Sequence, residues 1–274
     1  MPSLVFPPRV APSALGRSAV SLPPYLTDDV LLQAFPVAAW AEVEATALLR
    51  RFDRKFVLTF GQLEKVLQAV GGKYRLLPSN GHSLATYDTT YFDTPDLVMF
   101  RQHARGKRPR FKVRIRHYSD RASAYLEVKQ KTNRGETSKH RRKVPFEQYG
   151  IEQADHAFLQ TYVDLEPATL RPLVSTHFKR LTLLNAMAGE RVTSDVFLTF
   201  SAGTTVRELC WIAVIEVKQA KSEGHTAFTK ALHAVSAQPR SFSKYSLGVA
   251  SLELTARINA FVPTLRMIER LRHA

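Results

Sequence analysis

The chain has 274 residues and a formal net charge of +15, with 45% hydrophobic residues and one cysteine. That length holds one large domain or two small ones, and the apolar share is ordinary for a protein with a sizeable core. The lone Cys210 excludes an internal disulfide framework and a cysteine-built zinc site, and no apolar run reaches the roughly 18–20 residues needed to span a bilayer.

Residues 1–44 are rich in Pro and Ala and predict a poorly ordered extension, with a short helix near Ala38 to Leu49. Residues 45–274 read as a single domain. In RFDRKFVL, Arg51, Asp53 and Lys55 share one face of a strand and Phe52, Phe56 and Leu58 the other. Thr59 and Gln62 form a capping-box pair, Leu63, Val66, Leu67 and Val70 follow at helical spacing, and Gly71-Gly72 ends the helix. LATYDTTYF (84–92) has the Thr and aromatic content of a strand, and Pro95 predicts the first position of a short helix.

The next stretch carries most of the charge. From Arg101 to Lys143 there are 16 Lys/Arg against 3 Asp/Glu. In RFKVRIRHY, Arg110, Lys112, Arg114 and Arg116 alternate with Phe111, Val113 and Ile115; in AYLEVKQK, Glu127, Lys129 and Lys131 alternate with Leu126 and Val128. With Ser119 to Ala124 as the turn, the two runs predict a hairpin with one apolar and one basic face. Like charges side by side destabilise a sheet unless an anion or solvent offsets them, so the basic face points to a polyanion. KHRRKVP (139–145) predicts a further basic strand.

Residues 147–170 have loose helical periodicity. Leu173 to Leu184 and Arg191 to Phe200 read as strands joined by a turn at Ala188-Gly189-Glu190, and CWIAVIEVKQ (210–219) as an apolar strand with Glu216 and Lys218 on one face. Ser222 to Ala237 predicts a helix, Ser241 to Tyr245 a loop with an exposed lysine, and Leu247 to Arg272 two short helices interrupted at Pro263. About eight strands with basic faces, plus helices able to cover apolar ones, favour an α+β fold. Its centre would be a closed, mainly antiparallel eight-stranded β-barrel with a basic lumen, covered by helices outside. Such a lumen offers fixed positive charge for phosphoryl transfer, and a carboxylate such as Glu216 or Glu127 can hold a hard divalent cation. There is no Walker-type glycine loop, and no nucleic-acid-binding motif appears.

The ordered motifs carry a resemblance. RxDxK (51–55), YFDTP (91–95), KVRIR (112–116), LEVKQK (126–131), a strand with Arg180, RVTSD (191–195), IEVK (215–218) and SKY (243–245) resemble the VTC domain. That is the polyphosphate polymerase branch of the triphosphate tunnel metalloenzymes, or CYTH superfamily. The resemblance implies a phosphotransferase that moves the γ-phosphate of ATP onto polyphosphate. It implies Lys55, Arg114, Arg116, Lys129, Arg180, Arg191 and Lys244 as the catalytic phosphate ligands. Lys131, Lys139, Arg141, Arg142 and Lys218 would add phosphate-binding charge. Glu216 would be the principal ligand for Mn2+ or Mg2+, with Glu127 a second ligand or a partner of Lys129. The first strand holds one acid, Asp53, where hydrolase and cyclase branches have two, and this shifts the expectation from hydrolysis towards polymerisation.

The alternatives are a metal-dependent triphosphatase of the same fold and a non-catalytic module that binds polyphosphate or nucleic acid. The expected partners are ATP and polyphosphate, with no specific nucleic acid. The expected location is cytoplasmic, peripheral at a membrane only through a separate membrane subunit.

Overall fold

The computed structural model describes residues 22–46, 52–134, 136–219 and 225–273. Arg51, Leu49 and the first 21 residues lie outside them. Ten strands form one sheet: β1 (Phe52–Thr59), β2 (Arg75–Leu76), β3 (Leu84–Asp93), β4 (Arg110–Tyr118), β5 (Ser123–Lys131), β6 (Thr137–Val144), β7 (Arg171–Asn185), β8 (Glu190–Ala202), β9 (Thr205–Leu209) and β10 (Ile212–Gln219). The helices are α1 (Asp28–Ala34), α2 (Trp40–Ala45), α3 (Phe60–Val70), α4 (Val98–Ala104), α5 (His156–Tyr162), α6 (Ala227–Ala234), α7 (Lys244–Ser251) and α8 (Val262–Arg270).

The strand order is β1-β10-β8-β7-β3-β4-β5-β6, with β2 beside β7 and β9 beside β8. All ladders are antiparallel. The expected hydrogen-bonded closure is not found: β1 and β6 end the order and do not pair.

The sheet nevertheless curls. Burial above all, and with it the charge of Lys55 on β1, lowers the ionisation of Lys129 and Lys131 on β5, six strand positions away in the sheet order. In a flat sheet those strands would stand about 29 Å apart, beyond the roughly 10 Å reach of charges in salt. The wall therefore bends until β1 comes within charge range of β5, with no ladder between β1 and β6.

Period-two alternation sorts the side chains. The convex face carries Phe56, Leu58, Leu181, Leu183, Val192, Ile215 and Val217, which pack against Leu63, Val66, Leu67 and Val70 of α3 and Phe228, Ala231 and Leu232 of α6. Further round, Val113, Ile115, Leu126 and Val128 pack against Leu159 of α5 and Met99 of α4. The Thr59/Gln62 capping box forms as read, the Thr59 hydroxyl accepting from Gln62 N at 3.2 Å and the Gln62 side chain accepting from Thr59 N at 3.0 Å.

Several expectations are corrected. From residue 22 the Pro/Ala-rich stretch is not loose: Leu26, Leu31 and Phe35 are buried in the core beside α3. α4 starts at Val98 rather than Pro95 because the Asp93 carboxylate accepts from the amides of Thr94, Met99 and Phe100 at 2.8–2.9 Å. Between 147 and 170 only α5 and two single 3-10 turns are helical. Ser243 caps α7, so Lys244 is the first residue of a buried helix and not an exposed loop residue. Residues 222–224 of the expected helix lie outside the described residues, and of the remainder α6 covers Ala227–Ala234.

Candidate active site

Antiparallel partners lie side by side on the same face, so the registers lay out the concave wall as rows. One row is Lys55, Glu216 and Thr193; the next is Asp53, Lys218 and Arg191. Arg180 stands beside Asp195. Across the sheet, Tyr91, Arg114, Glu127 and Arg141 form one row, and Lys112, Lys129 and Lys139 another. Arg116, Tyr125 and Lys143 form the row above, and Arg110 and Lys131 the row below. The alternation seen in the sequence thus becomes a wall of cations facing inward.

Two buried carboxylates hold this charge in place. Glu127 is fully buried; its Oε2 accepts from Arg114 Nε at 2.7 Å and its Oε1 from Lys139 Nζ at 2.5 Å. Burial pushes Glu127 up, but Arg114, Arg116 and Lys139 overcome this and hold it well below the usual carboxylate range. Asp195 takes two bonds from Arg180, at 2.5 and 2.8 Å, and a third from Lys244. It too is held low, Arg180 and Lys244 outweighing burial. Bidentate pairs of this kind fix guanidinium direction as well as charge. Arg114 also donates to Tyr91 Oη at 3.3 Å, and Arg116 Nε to Thr89 Oγ1 at 3.0 Å.

Glu216 is different. Its oxygens stand 3.8 Å from Lys55 Nζ and 3.5 Å from Lys218 Nζ, outside strong hydrogen-bond range. Burial raises it, yet Lys218, Lys55 and Arg180 keep it ionised. Burial, only partly offset by Glu216, pushes Lys218 down to about 8. A buried carboxylate ringed by cations without close hydrogen bonds can turn an oxygen towards a divalent ion. Among the described residues no cluster of three or more His, Cys, Asp or Glu stands ready for a metal. The donor set thus fits an ion such as Mg2+ or Mn2+ that keeps water and phosphate oxygens in most of its shell, and does not fit one caged by protein.

Every sequence-predicted site residue except one is on this wall: Lys55, Arg114, Arg116, Lys129, Arg180, Arg191, Lys131, Lys139, Arg141, Lys218, Glu216 and Glu127 by strand register, and Lys244 by its bond to Asp195. Arg142 is the exception. It registers with Leu126 on the convex side, donates to Ala154 O at 2.6 Å and pairs with Asp155, so it anchors the turn before α5. In this structure both Glu127 oxygens are engaged, one bracing Arg114 and the other Lys139.

The sequence reading assigned no role to Asp195, Lys112 or Ser243. Asp195 shares the 191-193-195 parity, which was the available signal. Lys112 donates to Ser243 Oγ at 2.8 Å, and nothing local to either residue foretells that contact.

α7 backs the site. The Tyr245 ring packs at a tilt against Tyr91, and its hydroxyl donates to Asp93. A Cβ on Gly248 would stand 2.9 Å from Val174 Cγ2, so the helix lies directly on the concave side of β7.

A curled antiparallel sheet with an inward cationic wall, α3 and α6 packed on its convex side, α7 on its concave side and one loosely held carboxylate fits the triphosphate tunnel class. The chain belongs to the VTC domain family, whose model matches residues 50–253. Among solved structures, a candidate adenylate cyclase from Bacillus halodurans is similar at 13% identity with a TM-score of 0.46, covering 71% of this chain and 94% of that one. A candidate adenylyl cyclase from Hippeastrum, described as having a dominant triphosphatase activity, is similar at 13% identity and a TM-score of 0.45, covering 73% and 95%. No curated protein sequence matches the chain. Among the described residues no helix is long and apolar enough to cross a membrane.

Proposed function

We propose that the chain is a polyphosphate polymerase that transfers the γ-phosphoryl group of ATP to the end of a polyphosphate chain. The observation that carries this reading is the convergence of Lys218, Lys55, Arg180 and Lys129 around Glu216. Phosphoryl transfer needs placement and charge more than covalent help. The acceptor is a terminal phosphate oxygen, already anionic, so no general base is required. Its bond to the γ-phosphorus forms as the β–γ bridging bond breaks, and ADP leaves with the electron pair. Arg114, aimed by Glu127 and Tyr91, and Arg180, aimed by Asp195, hold the equatorial oxygens. Lys55 and Lys218 keep Glu216 ionised, and a divalent ion bound there would neutralise charge on the β- and γ-phosphates.

One observation favours a second reading, hydrolysis of a short triphosphate. α7 lies on the concave side against Val174 and Phe200, which shortens the path open to a long chain. Incubation of the full chain with ATP and Mn2+ separates the two. The polymerase yields ADP and acid-labile polymer in equal phosphate; the hydrolase yields orthophosphate. Glu216→Ala should remove either activity, and an active Glu216→Ala would refute the assigned role.

A further inference from the structure

The wall is not cationic throughout. Four aromatic rings from four neighbouring strands gather at one end: Phe178 of β7, Tyr87 of β3, Tyr118 of β4 and Tyr125 of β5. Tyr87 stacks on Phe178 (5.1 Å, 6°) and meets Tyr118 edge-on at 5.1 Å; Tyr118 meets Tyr125 edge-on at 5.8 Å. Register puts them on the inward face, Tyr87 beside Tyr118 and Tyr125 beside Arg116. The inner pair has a visible task. Arg180 lies 4.9 Å and Arg116 5.4 Å from the Tyr87 ring, so these rings support the two guanidinium groups.

Tyr125 is placed differently. It is half-buried, it stands on an edgeward strand, and its ring is covered by the guanidinium of exposed Arg141 at 4.9 Å. An aromatic ring covered only by an exposed guanidinium offers a face on which a nucleobase can stack. The spacing agrees. Tyr125 and Lys129 are four residues apart on β5, about 13 Å at the rise of a strand. A nucleoside triphosphate, from base to terminal phosphate, has a reach of that order. Between them on the same wall stands the Arg114/Glu127/Arg141 row, and Arg116 shares the row of Tyr125.

We infer that Tyr125, with Tyr118 at its edge, is the nucleobase platform of the site. The purine stacks on Tyr125 in place of Arg141, Arg141 turns to the α-phosphate, and the phosphates run past Arg116 and Arg114 to Lys129 and Glu216. This rests on the reading of the site as one that takes ATP, but not on the direction of the chemistry: a triphosphatase would use the same platform.

The test is binding, not turnover. Calorimetry with ATP and with inorganic tripolyphosphate, in Mg2+, compares wild type, Tyr125→Phe and Tyr125→Ala. Tyr125→Ala should weaken ATP by about 10-fold, within what one base–aromatic stack contributes. It should leave tripolyphosphate within about two-fold, and Tyr125→Phe should bind both as wild type does. Equal weakening of both ligands, or of neither, would overturn the assignment. Saturation-transfer NMR on wild type is independent of the variants' folding: the adenine H2 and H8 protons should receive saturation, and saturation confined to the ribose would also overturn it. ATP that binds with base-dependent affinity yet yields only orthophosphate would refute the polymerase and leave the platform standing.

Discussion

Asp195→Asn removes the charge that Arg180 and Lys244 share. All three side chains are nearly enclosed, at 5%, 14% and 11% exposure, so solvent screens little of the loss. Removing one partner of a buried ion pair costs about 3–5 kcal/mol. Spread over a domain of this size, that lowers the melting temperature by roughly 6–20 °C. The same two cations are assigned to substrate phosphate, which gives the perturbation a signature. Tripolyphosphate supplies the missing negative charge and should raise the variant's melting temperature by more than it raises wild type's. Urea denaturation and thermal melts with and without tripolyphosphate measure both quantities. A variant within about 1 kcal/mol of wild type, or one that gains no more from tripolyphosphate than wild type does, would refute the placement of these cations at the substrate.

Other outcomes follow from the same geometry. Glu127→Gln should leave Arg114 and Lys139 without their brace and lower turnover at least ten-fold, with an intact fold by circular dichroism. Asp195, Glu127 and Glu216 are all held below their ordinary values, so their contribution to stability is complete above the unfolded carboxylate range near pH 4 and is lost as pH falls below it. Denaturation midpoints between pH 7 and 3 should show that decline, and a flat profile would contradict it. Burial pushes Lys218 down to about 8, so tripolyphosphate binding should weaken as pH rises through that value. Lys218→Arg should flatten part of the slope. Gly248→Ala forces a methyl into Val174 and Phe200, and over-packing of this kind costs about 1–3 kcal/mol; a melt unchanged from wild type would show that α7 can shift.

The strands and their faces were legible because a strand repeats every two residues, and the chain marks one parity with Lys and Arg and the other with Val, Ile, Leu and Phe. That signal put Arg114, Lys129 and Glu216 on the charged faces of their strands, the faces on which the registers also set them. It fails where alternation is short or ambiguous. β2 has two residues and β9 five, too few to show a period. Arg142 falls in KHRRKVP, where five charged or polar residues in a row hide which parity faces inward; only its register with Leu126 decides. Lys244 was read as exposed because a lysine in a Ser-rich stretch is usually solvated. Its burial depends on Asp195, 49 positions away, a contact that no local pattern contains. The open seam was likewise beyond sequence, since alternation specifies faces but not which edge strands meet.

The claim on which the rest depends is that the inward cations form one enclosed phosphate site. Titration of the full chain with tripolyphosphate in Mg2+, comparing wild type with Arg114→Ala/Arg180→Ala, tests it most directly. The account predicts one site per chain in wild type, weakened at least a hundred-fold in the double variant. Binding at several weak sites per chain, or one site untouched by the double variant, would contradict it.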